Sequence, residues 1–288
     1  MSGRTNRQVR RSVAGLGPSG RERLRGLLRE SSFELPPRPG AIAAVATRLI
    51  PSNVRLSVAS TLESGINATV EISCELAGKG FDVTPHLAAR SIRDEAQLEW
   101  IISQMTSARI STALVVGGDG KPEGEFAEAA QLMPTLREAG VTVGIAGYPE
   151  GHAFLTADQL VESLLAKAPQ AAFVATQPCF EPERVLRWAA ELRLRGCELP
   201  IEVGVAGVVA SDRLREMADE IGVGPSRDAL PRAGVVHHPS GFLAGLVGPD
   251  AFDRLDITAL RVTTFGDVAS TESWRQQLYD AAGQRQAV

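Results

Sequence analysis

Short runs rich in β-branched residues recur eight times along the chain, separated by helix-patterned segments. The runs are SSFEL (31–35), VRLSVA (54–59), FDVT (81–84), TALVV (112–116), VTVGIA (141–146), AAFVAT (171–176), IEVGV (201–205) and ITALRVTTF (257–265). Between them lie segments such as ATVEISCELAGKG, DEAQLEWIISQM, EFAEAAQLMPTLREAG, TADQLVESLLAKA, EPERVLRWAAELRLRG and SDRLREMADEIG. Parallel strands cannot be joined by a tight hairpin and need a crossover, usually a helix, so this alternation calls for a parallel sheet. Eight such units close naturally into a barrel. Leu132 and Leu136 keep helical spacing, and Gly140 is placed to stop that helix. An open doubly wound sheet is the competing architecture, but it normally uses fewer strands and a glycine-rich first turn. No GxGxxG follows the first run, and GGDGKP lacks the spacing of a phosphate loop. The expected fold is therefore α/β: a (β/α)8 TIM barrel over residues 31–288, with a short basic helical extension over residues 1–30.

Composition narrows the partners. A chain of 288 residues that is 44% hydrophobic and 22% charged can bury a sizeable core. Its formal net charge of −4 argues against nucleic acid as the main partner. Cys74, Cys179 and Cys197 form an odd set without CxxC spacing, which fits a reducing cytoplasm better than a disulfide scaffold or a zinc site. No apolar run approaches the ~20 residues that span a bilayer, and no apolar segment follows the basic N-terminus as in a secretory signal. The eight arginines of residues 1–31 read as a solvated tail followed by a packed helix, RERLRGLLRE, because no aromatics are interleaved for base stacking. The chain ends soon after the last strand run, so no C-terminal regulatory domain is expected. A homo-oligomer is compatible with the sequence.

Polar residues gather where such barrels keep their chemistry, at the carboxyl ends of the strands. Glu34, His86, Asp119, Tyr148, Glu150, His152, Gln177 and Thr264 all fall at or just past a strand run. Glu34 lies between Phe33 and Leu35, so partial burial should raise its pKa toward that of a general acid. Gly117 and Gly118 precede Asp119 and would let a flat ligand approach the backbone. Gln177 offers a donor and an acceptor, which suits the amide edge of a pterin-like ring. No serine or cysteine here has a paired histidine at recognisable spacing. The four histidines include no HxH or HExxH, so no metal site is expected. The adjacent His237 and His238 read as a surface or loop pair.

These motifs resemble the methylenetetrahydrofolate reductase family. SSFELPPR is similar to its first-strand motif, with Glu34 in the place of the catalytic acid. TPHLAARSI resembles the third-strand histidine motif, ALVVGGDGKP the fourth-strand motif ending in Asp119, and GIAGYPEGH the fifth-strand motif. FVATQPCFEPERVLRW looks like the sixth-strand motif, with Gln177 at the pterin and Phe180 in the aromatic run. The matches are collinear over roughly residues 32–265.

The resemblance implies reduction of 5,10-methylenetetrahydrofolate to 5-methyltetrahydrofolate, with NADH or NADPH as electron source and FAD as carrier. It assigns Glu34 to protonating the folate, Asp119 to charge stabilisation, and Gln177 and Phe180 to substrate binding. His86, Gly118, Asp119, Tyr148 and His152 fall at the family's flavin-contacting positions. Other places depart from the pattern. Gly117 stands where the family has arginine, and Gln159, Glu162 and Ala166 stand where an acid, an amide and a lysine meet the flavin tail. Losing two cations weakens anion binding, because charge-assisted contacts are the strong ones. The ending TTFGDVASTESW is more similar to divergent bacterial members, some of which pass hydride directly from NADH to folate. Two alternatives therefore stand beside the flavoenzyme: direct hydride transfer, and a folate-binding barrel subunit that does not reduce.

Overall fold

A computed structural model of the chain describes residues 3–38, 50–51, 53–118, 120–220 and 235–284. Eight parallel strands close into a barrel in the order β1, β10, β7, β6, β5, β4, β3, β2, and from β2 onward helical segments alternate with the strands along the described residues. This is a (β/α)8 barrel. The barrel strands are β1 (Ser32–Leu35), β2 (Arg55–Val58), β3 (Val83–Ala88), β4 (Thr112–Val116), β5 (Thr142–Gly147), β6 (Phe173–Pro178), β7 (Ile201–Ala206) and β10 (Ile257–Thr263). The chain divides into two compact units. One comprises Ser32–Gly147 and Glu162–Ala175; the other comprises Met1–Ser31, Tyr148–Val161 and Thr176–Val288.

In the first unit, β1 to β5 pair in sequence order, with Glu34 opposite Ser57 and His86 opposite Leu114. Helix α3 (Gly65–Gly78) buries Ile66, Val70, Ile72 and Leu76, the stripe that packs such a helix onto a sheet. Helix α4 (Glu95–Ser107) starts at Asp94, whose carboxylate accepts from Gln97 N at 2.8 Å, and it buries Leu98, Ile101 and Met105. Each such aliphatic side chain contributes roughly 1.5–3 kcal/mol when taken from water. Two features differ from the sequence expectation. Strand β3 starts later than FDVT and runs through Pro85, which pairs with Val58, so His86 lies inside the strand rather than after it. Helix α5 is only Met133–Glu138, because Pro134 sits in its first turn and a 3₁₀ turn, Ala129–Gln131, precedes it. Gly140 follows that helix with φ of 80°, the left-handed geometry that ends it.

The second unit holds α1 (Gly3–Ala14) and α2 (Pro18–Arg29). Val9, Val13, Leu24, Leu27 and Leu28 are buried at helical spacing. The arginines of this segment are engaged rather than merely solvated: Arg23 forks onto Asp253 and also donates to the carbonyls of Val247 and Pro249. Arg25 lies over the ring of Tyr279, 4.8 Å from its centroid. Strands β7 and β10 pair along their lengths and carry a buried ion pair, Arg261 Nη2 to Glu202 Oε2 at 2.7 Å. The connection between them forms a two-stranded antiparallel ribbon of β8 (Val209–Ala210) and β9 (Val236–His237), with α8 (Ser211–Glu220) between the two strands. Strands of two residues leave no alternation for a sequence pattern to reveal. Further on come α9 (Ser240–Val247) and the C-terminal helix α10 (Val268–Gly283); Trp274 Nε1 of α10 donates to Ser240 Oγ of α9 at 2.9 Å. Among the described residues no helix is long and apolar enough to cross a membrane.

Candidate active site

Glu34 is the third residue of β1, with 20% of its side chain exposed, and its Oε2 lies 3.8 Å from His86 Nε2 on β3. The strand pattern puts a carboxylate where an apolar residue would otherwise continue the core, between the fully buried Phe33 and Leu35. Ser57, its register partner on β2, is also fully buried, and its hydroxyl has no hydrogen-bond partner among the described residues. His86, taken from the sequence as a flavin contact, thus touches the proposed acid itself.

Gly118 follows β4 with φ of 88°, and a Cβ there would come within 3.0 Å of the Ala88 Cβ. The backbone conformation and the close approach to β3 both demand glycine, a structural reason apart from any flat ligand. Arg90 closes this corner by donating to the carbonyls of Gly118, Gly120 and Ala127. Asp119 lies outside the described residues.

In the other unit, Tyr148 and His152 meet edge to face with ring centroids 5.3 Å apart, and Phe154 continues the series at 5.8 Å from His152 while 89% exposed. His152 Nδ1 accepts from Phe154 N at 3.3 Å. Gln177 sits next to the end of β6. Its Nε2 donates to Gly151 O at 3.1 Å, while its buried Oε1 has no hydrogen-bond partner among the described residues. The carbonyl of Gly151 fixes which end of the amide is which. The Gln177 backbone is held as well: Thr176 Oγ1 and Cys179 Sγ both donate to its carbonyl, and Thr176 Oγ1 accepts from Gly204 N. A Cβ at Gly204 would lie 2.4 Å from the carbonyl oxygens of Thr176 and Gln177, so only glycine lets β6 end so close to β7.

Glu150 was legible as a polar residue near a strand end but had no assigned role. It is fully buried, and its Oε1 accepts from Phe180 N at 2.6 Å and Glu181 N at 2.7 Å. Burial, and secondarily this carboxylate, push the neighbouring Cys179 thiol well above its ordinary pKa, which keeps it protonated and a poor nucleophile. Phe180 lies edge-on to His237 at 6.0 Å. The histidine pair is therefore not a surface feature. His238 is only 7% exposed, neither of its ring nitrogens is hydrogen-bonded among the described residues, and burial lowers its pKa. Burial and the neighbouring His238 lower His237 to about 4. The antiparallel ribbon pairs His237 with Val209, distant in sequence, and nothing in the sequence marks so short a ribbon.

The flavin-tail positions lie on α6 (Ala157–Lys167). Gln159 Oε1 accepts from the Thr156 amide and hydroxyl, Glu162 is exposed, and Ala166 offers no polar group. None of these three is a cation. Lys167 donates to Ser163 Oγ, and burial lowers its pKa. These residues do not fit the pyrophosphate end of FAD. Among the described residues no cluster of three histidine, cysteine or acidic side chains could hold a metal.

A family model for methylenetetrahydrofolate reductase matches residues 51–224, more than half of the chain. The chain belongs to that family. Glu34 lies ahead of the matched stretch, whereas His86, Tyr148, Glu150, His152, Gln177 and Phe180 lie within it. Among solved structures, the chain is similar to an uncharacterized protein from Clostridium thermocellum that binds two copies of 5-methyl-5,6,7,8-tetrahydrofolic acid. The TM-score is 0.61 at 11% identity, over 88% of this chain and 94% of that one. Oxaloacetate acetylhydrolase in complex with 3,3-difluorooxalacetate gives a TM-score of 0.51 at 10% identity, over 92% and 94% of the two chains. At such identities the shared property is the barrel.

Proposed function

We propose that this member of the methylenetetrahydrofolate reductase family reduces 5,10-methylenetetrahydrofolate to 5-methyltetrahydrofolate with NADH or NADPH. The observation that carries the reading is Gln177, whose oriented amide leaves a buried acceptor, Oε1, for an N–H donor such as the pterin edge presents. Phe180, on the turn after β6, gives the same substrate an aromatic contact. The fold neighbour that binds 5-methyltetrahydrofolate points to the same ligand class. Glu34 is the general acid: it gives a proton to the folate nitrogen that leaves the one-carbon bridge, producing an iminium at that carbon. Hydride from the nicotinamide completes the methyl group, and NAD(P)⁺ is released. Asp119 stabilises the developing charge. Family membership is what brings a redox reaction, rather than binding alone, to this barrel.

The family's FAD would supply a two-electron carrier between nicotinamide and folate, and the resemblance assigns His86, Gly118, Asp119, Tyr148 and His152 to binding it. Direct hydride transfer is the second reading, and α6 favours it: Gln159 is committed to Thr156, and no cation stands at the tail positions. An anaerobic assay with NAD(P)H and methylenetetrahydrofolate, with and without added FAD, tests both. Oxidation of the nicotinamide coupled to 5-methyltetrahydrofolate formation is expected. Activity of a colourless preparation, unchanged by FAD, establishes the direct route; folate binding without any reduction overturns the enzyme reading in favour of a binding subunit.

A further inference from the structure

The side chain of Glu150 has no exposed surface, yet it lies within the motif that most resembles a catalytic signature. At 0% exposure it touches no solvent. A buried carboxylate costs several kcal/mol unless hydrogen bonds replace its water, so its partners define its task. Its Oε1 accepts from the amides of Phe180 and Glu181 at 2.6 and 2.7 Å.

This is not an ordinary helix cap. Helix α7 (Pro182–Leu194) has Glu181 as its N-cap residue and a proline as its first, so the amides that Glu150 takes precede the helix. What Glu150 fastens is the turn Cys179–Glu181 to the loop that begins at Tyr148. A second bond crosses between the same two segments, from Gln177 Nε2 to Gly151 O. The two crossings share a purpose. While Phe180 and Glu181 are tied to Glu150, Gln177 stays beside the Gly151 carbonyl, its NH2 is occupied there, and Oε1 is the end left to accept from a ligand.

We propose that Glu150 is a positioning residue of the substrate site, which fixes the Gln177 amide as a hydrogen-bond acceptor and holds Phe180 in place. This rests on the reading of Gln177 as a pterin contact. Without the brace, the turn keeps only its bonds around Gln177 and Cys179, and the amide is held less firmly in the orientation that leaves Oε1 to a ligand.

The test is a double-mutant cycle on the full chain, with 5-methyltetrahydrofolate as the probe and both affinity and turnover measured. Gln177→Ala and Glu150→Ala are each expected to weaken binding by about 10-fold, the loss of one good hydrogen bond. The double variant is expected to be no weaker than about 10-fold, because both changes remove the same contact. Glu150→Gln, whose amide oxygen can accept both N–H groups, should restore affinity to within about 3-fold. Turnover at saturating folate should change less than KM. If Glu150→Ala does not fold, Glu150→Asp takes its place in the cycle, since it keeps the charge but withdraws the oxygens. Wild-type affinity in the Glu150 variant, or losses that multiply to about 100-fold in the double variant, overturns the proposal. A wild-type protein that binds no folate overturns the functional reading, and this proposal falls with it. Folate binding with an unaffected Glu150 variant leaves that reading intact and removes only the brace.

Discussion

Two glutamates near strand ends, Glu34 on β1 and Glu150 after β5, look alike in the sequence, and the structure gives them opposite surroundings. Glu34 keeps 20% of its side chain exposed and has an imidazole 3.8 Å away. Glu150 has no exposed surface and binds two main-chain amides. An acid that must hand a proton to a ligand has to be reachable and must be able to exist protonated. A buried acid whose oxygen accepts from two peptide N–H groups is spent on the backbone. Accessibility separates chemistry from scaffolding here, and residue type does not.

That contrast is broken most directly by exchanging the expected phenotypes. Glu34→Gln is expected to lower turnover by roughly 10²–10⁴-fold, the range for a lost general acid, while leaving the melting temperature close to wild type. Turnover within a few-fold of wild type would remove Glu34 from the chemistry. Glu150→Ala should do the reverse and lower folding stability by about 2–4 kcal/mol, because two partly buried amides lose their acceptor. Chemical denaturation of the two variants side by side reads both outcomes. A Glu150 variant as stable as wild type would mean that water replaces the carboxylate.

The same contrast explains how much could be read beforehand. All eight barrel strands lie at or near their expected positions, because hydrophobic periodicity and crossover length are local properties. Glu34, His86 and Gln177 lie within strands, Tyr148 directly follows β5, and His152 lies in the loop beyond it. What stayed hidden depends on contacts distant in sequence. Glu150 and Phe180 are 30 residues apart, and only the fold shows that one binds the other. Strand β3 runs beyond the expected FDVT because pairing with both neighbours carries it through Pro85, although a proline lacks the ladder donor. The histidine pair was misplaced for a related reason: its burial comes from a ribbon of two-residue strands, with Phe180 against His237.

His237 gives the contrast a titratable counterpart. Its pKa is lowered to about 4 by burial and by its neighbour His238, against an ordinary value of 6.5. The unfolded chain therefore binds a proton between these values that the folded chain refuses. Stability is full above about pH 6.5 and falls as the pH drops toward 4, by on the order of 1–3 kcal/mol for a group so well buried. Melting temperatures measured from pH 7.5 to 4.5 should show this slope, and His237→Phe should flatten it. A slope unchanged by that substitution would assign the acid sensitivity to other groups.

The smallest effect belongs to a third carboxylate, Asp253, which receives two hydrogen bonds from Arg23 but is 61% exposed. Water competes for such a pair and the chain entropy of two long side chains opposes it, so Asp253→Asn should cost no more than about 1 kcal/mol. Arg23 keeps its bonds to the Val247 and Pro249 carbonyls in that variant, which limits the loss further. Added salt should shrink the difference between wild type and variant, because an exposed pair is screened and a buried one is not. If Asp253→Asn instead destabilised the protein as much as Glu150→Ala, burial would not be what ranks these carboxylates. The number of hydrogen bonds each accepts would then be the quantity that decides.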